Sequence, residues 1–290
     1  MATNGIWLCP DKKLPYLDIG GHKRYLAALP DSKLRSHLPL FATDYPDLDE
    51  SQWQEFEDDD SFLDILDQNG HGSCVGHGSE TGFQLAWYQA RGTPHLFSAN
   101  YLYSLINGGR DEGAVVGDAM EALINKGICL DSTVPEGNLI FPSQMPTQAA
   151  VEAQRFKLDT AYRVSTWKSI CTAIQLRHPV VFGVEIGRNF APNKDGILPS
   201  LSGRGGGHCM CARLGMKKFN GRWYIKVQNS WGKDWGKAGI CWMDQSYFQG
   251  QTDHFVPIAP AVDPQDTHKP PVVHNGLSQD PDAPVSTRVA

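Results

Sequence analysis

The sequence has no apolar run of bilayer-spanning length, and its start, "MATNGIWLCPDKKLPYLDIGG", lacks the apolar stretch of a secretory signal. A soluble, cytoplasmic protein is expected. Positive charge is not in excess, since 26 Lys and Arg face 32 Asp and Glu for a formal net charge of -6. No basic footprint for nucleic acid follows from that balance. The seven cysteines, Cys9, Cys74, Cys129, Cys171, Cys209, Cys211 and Cys241, are odd in number and show no regular spacing. They exclude a simple disulfide framework and fit free thiols in a reducing compartment. Internal repeats are missing as well. Residues 257–290 carry no aromatic side chain and are rich in Pro and Asp, so a disordered tail is expected there.

What is present divides into two unlike halves. Helical spacing is read over Gly72 to Arg91, where Phe83, Ala86, Trp87 and Ala90 share a face. Further helices are expected in "SANYLYSLINGG", capped by Ser98, in "GDAMEALINKG", closed by Gly127, and in "STWKSICTAIQLRHP", ended before Pro179. Then "PVVFGVEI", "HCMCARLGM" and "RWYIKVQNS" read as antiparallel strands. Helices followed by strands predict an α+β chain. The expected divisions are an extended lead-in over 1–60, a helical lobe over 61–160, a β-barrel-like lobe over 161–256 and the tail. Five prolines in residues 1–60 favour an extended strap over a helical plug. The acidic stretch 44–67 reads as a solvated surface.

Chemistry concentrates in "DQNGHGSCVGHG", where Cys74 stands between His71 and His77 among glycines. Three readings compete. A buried structural thiol fits Cys129, Cys171 and Cys241, but glycines leave Cys74 little apolar packing. A metal site could draw on His71, Cys74 and His77, with His208, Cys209 and Cys211 to complete it. Alternation along a strand turns Cys209 and Cys211 away from His208, which weakens that reading. The third reading is a nucleophile at the mouth of a helix. A free thiol titrates near ~8.5, and a helix N-terminus stabilises an anion by only about 0.3–2 kcal/mol, so a histidine partner is required. In "RWYIKVQNS", the polar Asn229 ends an apolar row and itself needs a partner.

"DQNGHGSC", "GGGHCM" and "VQNSWGKDWGKAG" together resemble the papain family of cysteine peptidases, whose His and Asn follow the Cys by roughly 130–150 residues. The likeness covers about residues 60–250, and residues 1–60 resemble the lead-in of bacterial members that lack a prodomain. It implies a papain-like two-lobed fold with the active site in the cleft between the lobes. It also implies Cys74 as nucleophile, His208 as its acid–base partner, Asn229 to orient His208, and Gln68 with the Cys74 N–H as oxyanion hole. Trp231 would shield the His208–Asn229 contact. Substrate would be bound by Gly113, Ala114, Gly183, Gly207, Cys209 and Trp231, with an apolar pocket near Gly183 and Cys209. A peptide or protein substrate is implied, and no cofactor. A silent or acyl-transferring homologue is the alternative. Two departures stand out. His71 replaces the cysteine of the usual nearby disulfide, and Val75 replaces a tryptophan. His77 is expected to be a local modulator or a surface residue.

Two further expectations can be tested by the fold. A tight hairpin at Asn220-Gly221 would misplace Asn229 against His208, so a longer or bulged connection is expected over Lys217 to Arg222. Residues 55–60 are a candidate cover for the cleft.

Overall fold

The computed structural model describes residues 6–33, 35, 37–249 and 257–262. Three strands open the chain, β1 (Ile6–Cys9), β2 (Leu14–Ile19) and β3 (His22–Tyr25), and form an antiparallel meander. A short helix α1 (Phe41–Asp44) and strand β4 (Phe56–Glu57) follow. The helical lobe holds α2 (Cys74–Arg91), α3 (Ala99–Ile106), α4 (Val116–Asn125) and α5 (Thr147–Ala153). Strand β5 (Thr160–Arg163) and helix α6 (Trp167–Gln175) lead into β6 (Val180–Ile186), β7 (Gly206–Phe219), β8 (Arg222–Gln228), β9 (Ile240–Asp244) and β10 (Ile258–Ala261). The large sheet runs β5-β10-β6-β7-β8-β9, with β4 added on β7. Each lobe has its own apolar core, one on the helices and one inside the sheet. The architecture is α+β and two-lobed.

Helix α2 lies between the lobes, and its glycines explain how. A Cβ on Gly76 would stand 2.7 Å from the Ala99 carbonyl and 2.9 Å from Tyr103 Cβ, on the α3 side. On the sheet side, a Cβ on Gly78 would stand 3.0 Å from Cys209 Sγ. Interior glycine costs a helix about 0.5–1 kcal/mol each. Close approach of α3 and β7 offsets that cost and sets the helix mouth at the interface. The side chains of Ser98 and Thr166 cap α3 and α6 by accepting from Tyr101 N and Ser169 N.

The turn at Asn220-Gly221 is tight, with both residues at positive φ. No bulge occurs at Lys217–Arg222. The irregularity lies earlier, where β7 advances from Ala212 to Met216 while β8 moves only from Val227 to Ile225. Strand β4 pairs with Gly215 and Met216 there, and Arg213 turns inward to Asp60. The two surplus residues of β7 move its upper part relative to β8, which brings His208 towards Asn229.

Three expectations from composition need correction. The lead-in is not a bare strap, because residues 6–25 form the meander. Residues 55–60 do not cover the cleft: Glu57 pairs with Lys217 and Lys226, and the buried Asp60 pairs with Arg213 and Lys226. The tail cannot begin at 257, since β10 is inserted between β5 and β6 with Ile258 and Ala259 fully buried. The rest of the expected tail, 263–290, lies outside the described residues.

Candidate active site

Cys74 is the first residue of α2 and is fully buried. The amides of Cys209 and Ala27 are directed at its sulfur, one from the sheet lobe and one from the N-terminal segment. Burial nevertheless dominates and pushes the thiol up to about 11. His208 stands on β7 next to Cys209. Its Nε2 is 2.7 Å from Asn229 Oδ1, while Nδ1 has no hydrogen-bond partner among the described residues. Burial again dominates, lowering the imidazole to about 4 against the opposing pull of Asn229. Trp231 covers the ring at 4.6 Å between centroids with a 32° tilt.

Gln68 is held from behind. Its Oε1 accepts from Ser230 Oγ at 3.0 Å and from Trp231 Nε1 at 3.1 Å, which fixes Nε2 as the donor end of the amide. That donor binds the carbonyls of His71 and Tyr25. At His71, which replaces a disulfide cysteine by the resemblance, Nδ1 lies 3.2 Å from Asp111 Oδ2, and Gly72 N donates to Asp111 Oδ1 at 2.7 Å. Burial would raise the Asp111 carboxyl, but His71, Lys12 and the Gly72 amide hold it well below the usual range.

The cleft is filled by the chain itself. Ala28 N donates to Gly207 O at 2.9 Å on the sheet wall; on the helical wall, Leu29 N donates to Ala114 O and Ala114 N to Ala27 O. Ala28 and Ala114 form an isolated parallel bridge. The walls are cut to fit this segment. A Cβ on Gly206 would meet Pro15 at 2.7 Å and Leu26 at 2.9 Å, and one on Gly72 would meet Leu14 at 2.8 Å. Gly113, at φ +94°, faces the Ala27 carbonyl. Ion pairs tie the segment to the helical lobe through Lys12 to Asp111, Arg24 to Asp67, and the buried Arg35, held also by Asp31 of its own segment, to Asp118 and Glu121.

Asn229, His208, Trp231 and Gln68 are therefore joined by contacts, and Cys74 lies by Cys209, the residue after His208. Gly113, Ala114 and Gly207 line the cleft and are in contact with residues 27–29. Gly183 pairs with Cys209 on the sheet, and Cys209 packs on Gly78 between the lobes. The His71, Cys74 and His77 set disperses, because His71 turns to Asp111 and Asn138 while His77 Nδ1 binds the Ser73 carbonyl. Among the described residues, no three His, Cys, Asp or Glu side chains come together to hold a metal. His77, expected at the surface or as a modulator, is buried. The sequence reading missed Tyr25 to Leu29 as the cleft's occupant, for which the run Gly205-Gly206-Gly207 was the available signal.

Two lobes meeting over a helix that starts with a cysteine, with a histidine–asparagine pair on the adjoining sheet, define a papain-like fold. A family profile described as papain family cysteine protease matches residues 49–254, and the chain belongs to that family. No curated protein matches it. Among solved structures it is similar to xylellain, a cysteine protease from Xylella fastidiosa, at 18% identity and TM-score 0.65, covering 82% of this chain and 96% of that one. Procathepsin B S9 from Trypanosoma congolense aligns at 18% identity and TM-score 0.64, covering 82% and 86%. Bromelain from Ananas comosus, in complex with the E64 inhibitor, aligns at 21% identity and TM-score 0.56, covering 73% and 99%. Among the described residues no helix is long and apolar enough to cross a membrane.

Proposed function

We propose that the protein hydrolyses peptide bonds through Cys74, His208 and Asn229, and that the described conformation is its closed state. The observation that carries this reading is the 2.7 Å bond from His208 to Asn229, which leaves the opposite ring nitrogen unpartnered on the strand whose next amide faces the Cys74 sulfur. Asn229 accepts at Nε2, so the proton for chemistry belongs on Nδ1. The Cys74 thiolate attacks the carbonyl carbon of the scissile bond, a C–S bond forms and the carbonyl becomes an oxyanion. Gln68 Nε2 and the Cys74 N–H stabilise that oxyanion, each donor typically worth about 2.7–4 kcal/mol. His208 then gives its Nδ1 proton to the leaving amine. In the second half, water loses a proton to His208, attacks the thioester and releases the acid and the thiolate.

The closed state opposes this chemistry twice over. Residues 25–29 take the backbone partners on both walls, and their cover keeps thiol and imidazole neutral. Displacing them admits water and lets thiolate and imidazolium stabilise each other. Since bromelain's structure holds E64, an epoxide of that class is the natural probe. Wild type should label stoichiometrically at Cys74 and turn over members of a fluorogenic peptide library. Cys74→Ala should do neither, and His208→Ala should label slowly. Labelling without turnover would remove peptidase activity in favour of a silent or acyl-transferring protein.

A further inference from the structure

His77 lies one turn after Cys74 and is 2% exposed. Its Nδ1 is 2.9 Å from the Ser73 carbonyl. A carbonyl only accepts, so Nδ1 carries the hydrogen. On the other side of the ring, Nε2 has no hydrogen-bond partner among the described residues and lies 3.5 Å from Glu136 Oε1, an ion-pair contact when the ring is protonated; that same oxygen accepts from Asp67 N at 2.9 Å. Glu136 is itself steadied by its amide, which donates to Asp131 Oδ1.

The two ends of this chain of contacts are informative. The Ser73 carbonyl and the Cys74 N–H belong to one planar peptide unit, so a bond that fixes the first orients the second. Asp67 directly precedes Gln68, and its amide fixes the backbone from which the Gln68 side chain projects. Both proposed oxyanion donors are thereby tied to one imidazole–carboxylate pair that touches no substrate. Helix geometry alone supplies one bond to the Ser73 carbonyl, from His77 N at 3.1 Å. The side chain adds a second.

We infer that His77 and Glu136 are positioning residues that hold the Cys74 amide and Gln68 in register as an oxyanion hole. The inference rests on the peptidase reading above. Oxyanion donors act only if preorganised, and small displacements are costly in rate. Their loss should therefore lower kcat and leave KM unchanged.

The test uses the full chain with the N-terminal segment loosened by Lys12→Ala and Arg24→Ala, as the parent for all variants. His77→Phe should lower kcat about tenfold with KM within about twofold, while iodoacetamide alkylates Cys74 at the parental rate and pH profile, because alkylation needs no oxyanion hole. His77→Asn, which keeps a donor near the Nδ1 position, should recover most of the loss. Glu136→Ala should lower kcat and Glu136→Gln should restore it; the half-exposed Glu136 keeps the test valid if His77→Phe does not fold. Unchanged kcat in His77→Phe and Glu136→Ala would overturn the inference. So would a parallel loss of alkylation rate, which would place His77 on the thiol instead. An inactive parent would sink the peptidase reading and this inference together, whereas an active parent with unaffected variants sinks this one alone.

Discussion

The Tyr25 carbonyl lies 3.3 Å from Gln68 Nε2, so the donor assigned to a substrate's oxyanion holds a peptide of the chain itself. The same segment donates from Ala28 to Gly207 and exchanges two hydrogen bonds with Ala114. Under the proposed function, the protein must release its own backbone here before it can bind another.

Weakening the attachment should therefore raise activity. The Lys12–Asp111 and Arg24–Asp67 pairs are partly exposed, and such pairs contribute about 1 kcal/mol or less each. Lys12→Ala with Arg24→Ala should raise kcat/KM on a peptide substrate by up to about tenfold. Added salt should activate wild type more than the double variant. Equal salt responses would show that these ion pairs do not hold the segment shut.

Asn229→Ala should leave His208 without its 2.7 Å partner and free to rotate under Trp231. General acid–base catalysis contributes typically 10²–10⁴-fold, so a loss in kcat of about 10² is expected, with KM little changed. Steady-state kinetics beside His208→Ala, which should lose more, checks the order.

Gly76→Ala sets two effects against each other. Helix propensity favours alanine by about 1 kcal/mol. The added Cβ would stand 2.7 Å from the Ala99 carbonyl, backbone that cannot rotate away, and overpacking costs about 1–3 kcal/mol. A net loss in urea midpoint is expected. A gain would mean that α3 shifts at little cost.

Stability should fall with acid through two imidazoles, the buried His208 and the partly buried His178. Burial lowers His178, packed on Phe41 and Tyr45, and His208 to about 4. Between about 6.5 and 4 the unfolded chain binds protons that the folded chain does not, so stability drops as pH falls through that window and levels off below it. Urea midpoints at pH 7.5, 5.5 and 4 should decline in that order, and less steeply in His178→Phe. An unchanged slope would show that His178 is already charged in the fold.

Signals confined to neighbouring residues were the readable ones. Ser98, Gly127 and the spacing of Phe83, Ala86, Trp87 and Ala90 marked helices that form close to where they were expected. Asn220-Gly221 offered the tight turn that forms, since both residues tolerate positive φ, but the need to bring Asn229 to His208 turned the expectation towards a longer or bulged connection. The turn gave no register, because the irregularity at Ala212–Met216 depends on Arg213 reaching Asp60, far away in sequence. Strand β10 was read as tail because "IAPA" is unremarkable alone and is buried by partners distant in sequence, β5, β6 and helix α2.

The sequence by itself determined the local conformations and the order of Gln68, Cys74, His208 and Asn229 along the chain, because capping, periodicity and motif are written in adjacent side chains. Tertiary structure alone decided what occupies the cleft. Gly72, Gly113 and Gly206 have meaning only as space, and that space is defined by Leu14, Pro15, Leu26 and Ala27 approaching from the N-terminal segment. Shape complementarity of this kind is a property of two surfaces, and the chain brings them together only when it folds.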